Sequence, residues 1–304
     1  MISGEKILVT GPAGQIGFGI AETLAKSNEV WGIARFSKPD ERAKLDALGV
    51  KTRVVDLGQP DFSELPKDFT YLLHVAVAHE PSDYDRALRV NAEGTGLLMS
   101  HCRKVKAALV MSTLSVYKPN PDPWHPFVET DALGDTMGAS ATYSVSKIAE
   151  EAVARFCAKE FGIPTVIARM GAAYSERGGL PGAHMRAVAA GQPVKTRWDP
   201  CTYSPTHQDD INDQIEPMLA AAGIPAHIVN WCGDEAVSVQ QWAAFAGEVL
   251  GRPATVEVQE IPGASHGTVG DPEHRKTLTG PCKVSWKDGF RRTLQTLFPD
   301  QAKG

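Results

Sequence analysis

Tyr143 and Lys147 stand four residues apart in the run Tyr143-Ser144-Val145-Ser146-Lys147, a spacing that places both side chains on one face of a helix. A phenol with an ordinary pKa of about 10 is a poor proton donor or acceptor at neutral pH. An ammonium one helical turn away favours the phenolate, so the pair reads as an acid/base couple. Such a couple needs a hydroxyl to hold the reacting oxygen. Ser112-Thr113-Leu114-Ser115-Val116-Tyr117 offers several at the end of an apolar run. The same tyrosine on a surface helix would be unremarked; what singles it out is the segment that opens the chain.

That segment, Ile7-Leu8-Val9-Thr10-Gly11-Pro12-Ala13-Gly14-Gln15-Ile16-Gly17, is a strand, a glycine turn and a helix start. Gly11 permits the tight turn, Gly14 lets a pyrophosphate approach the backbone, and Gly17 allows the helix to pack closely on the strand. The helix start, with Ala13, Gln15 and Ile16, offers N–H groups and the positive end of its dipole to phosphates. A dinucleotide cofactor is expected. The second strand ends in Arg35, with Ser37 and Lys38 close behind, where NAD-preferring folds carry an acid for the adenosine ribose. A guanidinium there grips a 2′-phosphate in a bidentate, charge-assisted way. NADP is therefore expected, with NAD as the alternative.

The elements that must position these groups are legible as rhythm. Through residue 171 short apolar runs alternate with amphipathic stretches, the βαβ pattern of a parallel sheet. Strands are expected at 6–10, 30–35, 52–56, 71–76, 107–112 and 165–169, and helices from near Gln15, Asp40, Asp83 and Tyr143. The last of these runs to Phe161 and is stopped by Gly162 and Pro164. Beyond it, Gly and Pro cluster at 178–182 and 191–193; helices at 209–222, 239–250 and 285–297 follow, with strands at 227–231 and 255–259. The spacing predicts an α/β chain: a Rossmann-type doubly wound parallel sheet in residues 1–171 and a smaller substrate-binding domain in 172–304. Parts of the latter, about 203–232, return to the main sheet.

Composition narrows the partners. Among 304 residues, 31 Lys and Arg face 36 Asp and Glu, a net charge of -5, and no basic block is visible. Nucleic acid and anionic membranes are thereby disfavoured as main partners, and a small molecule is expected instead. No apolar run approaches the roughly 20 residues that span a bilayer, and no signal peptide is expected before the first strand. A cytoplasmic location follows as the expectation. The five cysteines, Cys102, Cys157, Cys201, Cys232 and Cys282, lack CxxC spacing and read as free thiols in a reducing compartment, with no metal site.

With these motifs in order, the chain resembles an extended short-chain dehydrogenase/reductase of the NAD-dependent epimerase/dehydratase family, over residues 6 to about 250. Besides the glycine loop, Asp56-Leu57 resembles the acidic position that contacts adenine, and His74-Val75-Ala76-Val77-Ala78 the fourth-strand motif whose backbone lines the cofactor. Asn91 matches the asparagine of the fourth helix, Met111 to Tyr117 the SSxxVY segment, Glu129-Thr130-Asp131 the acidic motif before YxxxK, and His207 to Ile211 the HVDD segment. The resemblance implies that Tyr143 is the general acid/base. Lys147 would assist it and bind the nicotinamide ribose, and Thr113, four residues before Tyr117, would hydrogen-bond the reacting oxygen. Gly11, Ala13, Gly14, Gln15, Ile16, Gly17, Arg35, Ser37, Asp56, Leu57, Val75, Ala76 and Asn91 would complete the cofactor site. A homodimer, through the helices near 83–104 and 143–161, is implied as well.

Departures from the family pattern bear on the substrate. Sugar-nucleotide members carry RxxNxYG after the sixth strand, whereas Arg169 to Ser175 places Ala172 at the asparagine and Ser175 at the glycine. Tyr203-Ser204-Pro205 replaces an Arg-Asp-aromatic run. Both point to a smaller, less charged carbonyl or alcohol, and so to an NADP-dependent oxidoreductase. A sugar or sugar-nucleotide epimerase/dehydratase and a non-catalytic dinucleotide sensor are the alternatives. The long loop Lys118 to Thr142 reads as one pocket wall, with Ser115, Trp124, Met170, Trp198 and Tyr203 as candidate substrate contacts; the same aromatics could instead merely pack the loop down. His79, after the fourth strand, could border the cofactor or substrate and His207 order the HVDD-like turn, but neither is needed for this chemistry; Arg186, Lys195 and Arg197 could bind an anionic substrate group but read more simply as solvated charges.

Overall fold

The structure, a computed structural model, describes residues 2–134 and 141–302; the stretch 135–140 of the loop read above as a pocket wall lies outside the described residues. In chain order the elements are β1 (Lys6–Thr10), α1 (Gln15–Ala25), β2 (Glu29–Ala34), α2 (Pro39–Ala47), β3 (Lys51–Val54), β4 (Tyr71–His74), α3 (Tyr84–Leu88), a π-helical turn (Arg89–Glu93), α4 (Gly94–His101), β5 (Ala107–Thr113), a 3-10 turn (Leu114–Val116), β6 (Pro126–Phe127) and α5 (Ala141–Phe161). There follow β7 (Thr165–Met170), β8 (Ala172–Tyr174), α6 (Leu180–Ala189), β9 (Val194–Thr196), β10 (Thr202–Tyr203), β11 (Pro205–His207), α7 (Gln208–Ala220), β12 (His227–Trp231), β13 (Val237–Ser238), α8 (Val239–Leu250), β14 (Val256–Val258), β15 (Gly267–Gly270), α9 (Glu273–Thr279) and α10 (Trp286–Leu297).

Seven strands form one sheet in the order β12-β7-β5-β4-β1-β2-β3, and the pairs of β1 with β2 and β4, of β2 with β3 and of β4 with β5 are parallel. This is the doubly wound α/β arrangement expected. Strand order reverses between β1 and β4, and in such sheets ligands bind outside the carboxyl ends of the strands at that crevice. The central strands β5 and β7 are buried throughout, as strands covered on both faces are; Leu8, Leu72, Ala108 and Ile167 share one core cluster with Leu98, Ala154 and Cys157.

By contacts the chain divides into two compact units. The first comprises Met1–Val116, Ser140–Arg169 and Asn212–Val229; the second Tyr117–Ala139, Met170–Ile211 and Asn230–Gly304. Within the second, β13-β10-β15-β6 make a four-stranded sheet, and β11 with β8 and β14 with β9 make two-stranded ones. Its core gathers Tyr174, Met185, Tyr203, Trp242, Phe245 and Phe290. All five thiols are free, and burial pushes Cys102 and Cys232 up to about 12. Among the described residues no helix is long and apolar enough to cross a membrane.

Candidate active site

At the carboxyl end of β1 the chain turns through Gly11, whose φ of +65° suits only glycine without strain. Its N–H donates to Ile33 O of β2 at 2.9 Å. A Cβ added to Gly17 would lie 2.2 Å from Gly11 O, so this glycine is what lets α1 start against the turn. Gly14 caps α1 without a side-chain hydrogen bond, and the first helical turn holds no acid. Gln15 Nε2 is buried and donates to nothing among the described residues. An anion-compatible helix start with an orphaned buried donor fits a dinucleotide diphosphate.

The neighbouring strand is tied to this turn by one hydroxyl. Thr10 Oγ1 accepts the N–H groups of Val75 and Ala76 at 3.0 and 2.9 Å and lies 2.7 Å from His74 Nδ1. Because that oxygen already accepts twice, its own proton goes to Nδ1, which leaves the His74 ring proton on Nε2, 2.7 Å from Thr95 Oγ1. Asp56 accepts Gly58 N–H at 2.9 Å and faces Arg86 at 3.7 Å, while Leu57 is buried. Arg35 and Ser37 follow β2 and are exposed.

The chemistry-bearing helix α5 buries an unusually polar face: Ser144, Ser146, Lys147, Glu150 and Glu151 precede Ala154, Cys157 and Ala158. Lys147 Nζ donates to Met111 O of β5 at 2.7 Å and ion-pairs with Glu150. Met111 and Thr113 are two apart on β5 and so share a face; Thr113 Oγ1 accepts Ser115 N–H at 3.2 Å. Tyr143 is half-buried, its ring against that of His79 with centroids 4.8 Å apart and planes at 32°. Asn91 sits in the π-helical turn, a local widening common at functional sites. It accepts Ala78 N–H at 2.8 Å and donates to Ala78 O at 3.0 Å and Ser146 Oγ at 2.9 Å, and Ser146 in turn donates to Tyr143 O at 2.9 Å. Arg169 of β7 grips Glu151 through Nε and Nη2 at 2.9 and 2.8 Å, and Ser112 Oγ donates to the same carboxylate at 2.6 Å. Helix α5 is thereby held to β5 and β7.

Thus the first unit carries the glycine loop, Thr113, Tyr143, Lys147 and Asn91. Of the candidate substrate contacts, Ser115 lies in the 3-10 turn of the same unit. The other four lie in the second: Trp124 exposed, Trp198 half-buried and stacked on His266 at 3.7 Å, Met170 and Tyr203 buried, Tyr203 against Trp242 at 5.5 Å. His207 Nδ1 accepts Asp209 N–H at 3.1 Å at the start of α7. Arg186 donates to Glu176 O at 2.7 Å and Arg197 to Ser265 O at 2.7 Å.

Two residues of the site were not singled out as reactive in the sequence. His79 carries the signal of following β4, but only the fold lays it on Tyr143. Glu150 carries a clearer one, an acid three residues after Lys147 and hence beside it on a helix.

A model of the NAD dependent epimerase/dehydratase family matches residues 7–198. A dTDP-4-dehydro-6-deoxy-D-allose reductase of a Streptomyces species is 26% identical over 84% of this chain and 84% of its own length; that of Streptomyces bikiniensis is 27% identical over 93% and 91%. Among solved structures, UDP-N-acetylglucosamine 4-epimerase of Methanobrevibacter ruminantium M1 superposes with a TM-score of 0.85, at 18% identity over 99% of this chain and 100% of that one. The UDP-glucose 4-epimerase of Thermus thermophilus, in complex with NAD, gives 0.81 at 24% identity over 97% and 99%. These structural likenesses speak to the fold; the family match, over more than half of the chain and on the segment that builds the glycine loop and the Tyr143–Lys147 helix, speaks to kinship. The chain belongs to the NAD-dependent epimerase/dehydratase family of extended short-chain dehydrogenases/reductases.

Proposed function

We propose that the protein is a nicotinamide-dinucleotide-dependent reductase of a keto group on a sugar or nucleotide-linked sugar, with Tyr143 as general acid. The observation that carries the chemistry is the anchoring of Lys147 on Met111 O, two residues before Thr113, one helical turn from Tyr143. The bound dinucleotide supplies the hydride. Thr113 holds the carbonyl oxygen, Tyr143 passes it a proton, and Lys147 holds positive charge under the phenol. The expectation of a small, weakly charged carbonyl, drawn from Ala172 and Tyr203 to Pro205, is set aside, because the relatives that span most of the chain are named for a nucleotide-linked keto sugar. Ser115, Trp124 and Trp198 are the candidate contacts that burial leaves accessible to such a substrate.

We assign NADP preference to Arg35, exposed at the end of β2 with Ser37 and Lys38, on the argument of the 2′-phosphate. A second reading, epimerisation with the cofactor regenerated in each turnover, is favoured by the family itself. A homodimer through α4 and α5 is supported by the exposure of Leu97 (52%) and Phe156 (62%) on those helices. The test of the function is a panel of nucleotide-linked 4-keto sugars with NADPH. Stoichiometric loss of nicotinamide absorbance supports the reductase, turnover without loss the epimerase, and no turnover of any such sugar refutes both. Tyr143→Phe should lower kcat roughly 10²–10⁴-fold, the usual worth of a general acid, with cofactor affinity unchanged.

A further inference from the structure

Lys147 has a partner that the acid/base reading does not require. Glu150 lies one turn along α5, fully buried, with its carboxylate ion-paired to Lys147 Nζ. Its other neighbours bring no compensating cation. On β4, His74 Nε2 is 3.5 Å from Glu150 Oε1, but the Thr10 hydroxyl fixes that ring as the neutral tautomer, and burial together with the Lys147 charge pushes its pKa down to about 3. On α4, Thr95 Oγ1 gives its proton to Asn91 O at 2.6 Å. On α5 itself Glu151 is negative and already matched by Arg169 of β7. From β5 the group facing Lys147 is the Met111 carbonyl. Lys147 is thus the cation that compensates this carboxylate, with a smaller contribution from the Thr95 hydroxyl.

The Lys147 charge reaches the end of the helix that carries Tyr143. His79, whose ring lies on Tyr143, is held below the usual histidine range by burial and then by the Lys147 charge. We propose that Glu150 is a positioning residue for the proton step: its carboxyl group, docked on the Lys147 ammonium, sets the positive charge that Tyr143 faces and so how readily the phenol gives up its proton. With Glu150 ionised the pair is neutral; with Glu150 protonated it carries one positive charge. Burial raises the Glu150 carboxyl to about 7 against the pull of Lys147, toward the state in which the pair carries that charge.

The inference rests on Tyr143 as the acid/base group, and the test separates the two. The apo protein, its Glu150→Gln variant and the Tyr143→Phe counterpart of each are titrated by tyrosinate absorbance, the difference within each pair reporting Tyr143 alone. Removing a full negative charge about one turn away should give roughly tenfold more Tyr143 phenolate at a given pH. The pH profile of kcat should move the same way, with the Kd of NADPH constant. Glu150→Asp, which keeps the charge but withdraws it, should move the titration less and in the same direction, and serves if the Gln variant does not fold. An unmoved titration, or one moved toward the phenol, overturns the role of Glu150 alone. Full activity of Tyr143→Phe overturns the acid/base reading beneath it.

Discussion

Gly17→Ala tests where the dinucleotide sits. The added Cβ would lie 2.2 Å from Gly11 O, 2.9 Å from Gly11 C and 3.2 Å from Pro12 Cα. All three are backbone atoms of the turn, so no side-chain rotation relieves them. Restoring a normal carbon–oxygen contact of about 3.3 Å forces α1 and the turn apart by roughly 1 Å. A displacement of about 1 Å in a positioning group is worth on the order of 100-fold, or about 2.7 kcal/mol of binding. The strain also costs about 1–3 kcal/mol of stability, which a 304-residue chain should survive. The assay is a fluorescence titration with NADPH beside a thermal unfolding curve. Gly182→Ala is the control, because its Cβ would meet Ser175 O at an ordinary 3.4 Å in the second unit. A folded Gly17→Ala protein that binds NADPH as tightly as the parent would refute the placement of the diphosphate on this turn.

Arg35→Ser should weaken NADPH by about 10- to 100-fold, the worth of a lost charge-assisted hydrogen bond, and leave NADH unchanged; equal losses for the two cofactors would remove Arg35 from the 2′-phosphate. Acid should destabilise the protein through His74. Its folded pKa of about 3 lies below the ordinary 6.5, so the folded state binds fewer protons between those values. Its contribution is complete above pH 6.5 and is lost as the pH falls toward 3, at up to about 1.4 kcal/mol per pH unit. Urea unfolding from pH 7 to 5 should therefore show a shallower loss in His74→Asn; an identical slope contradicts the assignment. Phe156→Glu should convert a dimer to a monomer in sedimentation, and a parent already monomeric retires the α4–α5 interface.

The core sheet was legible because each βα repeat carries its signal locally. The strands from β1 to β7 that line the sheet, and helices α1 and α5, lie within one or two residues of their predicted bounds. The second unit was legible only in part, in α8, α10 and β14. Its strands β8 to β11, β13 and β15 are 2 to 4 residues long, too short to show alternation. Helix α6 opens on Leu180-Pro181-Gly182, a run that reads as a breaker although proline is well placed at a helix start. The site divides the same way. Tyr143 with Lys147 and Gly11 with Gly14 and Gly17 are spacings within one turn or loop, and spacing alone discloses them. His79 on Tyr143 and His74 beside Glu150 are meetings of different elements, which only the folded sheet brings about. The substrate inference from Ala172 yields to the proposed keto sugar for a related reason: a missing asparagine says which contact a diphosphate lacks, and not which other groups replace it.

The central claim is that this chain moves a hydride between a nicotinamide dinucleotide and a sugar carbon while Tyr143 moves the proton. Its most direct measurement is a single turnover with NADPH deuterated at the transferring position and a nucleotide-linked 4-keto sugar, read by mass spectrometry of the sugar. The expected result is one deuterium on the former carbonyl carbon, appearing at least about 100-fold more slowly in Tyr143→Phe at unchanged NADPH affinity. A sugar that never takes up the label, or takes it up equally fast without the Tyr143 hydroxyl, would contradict it.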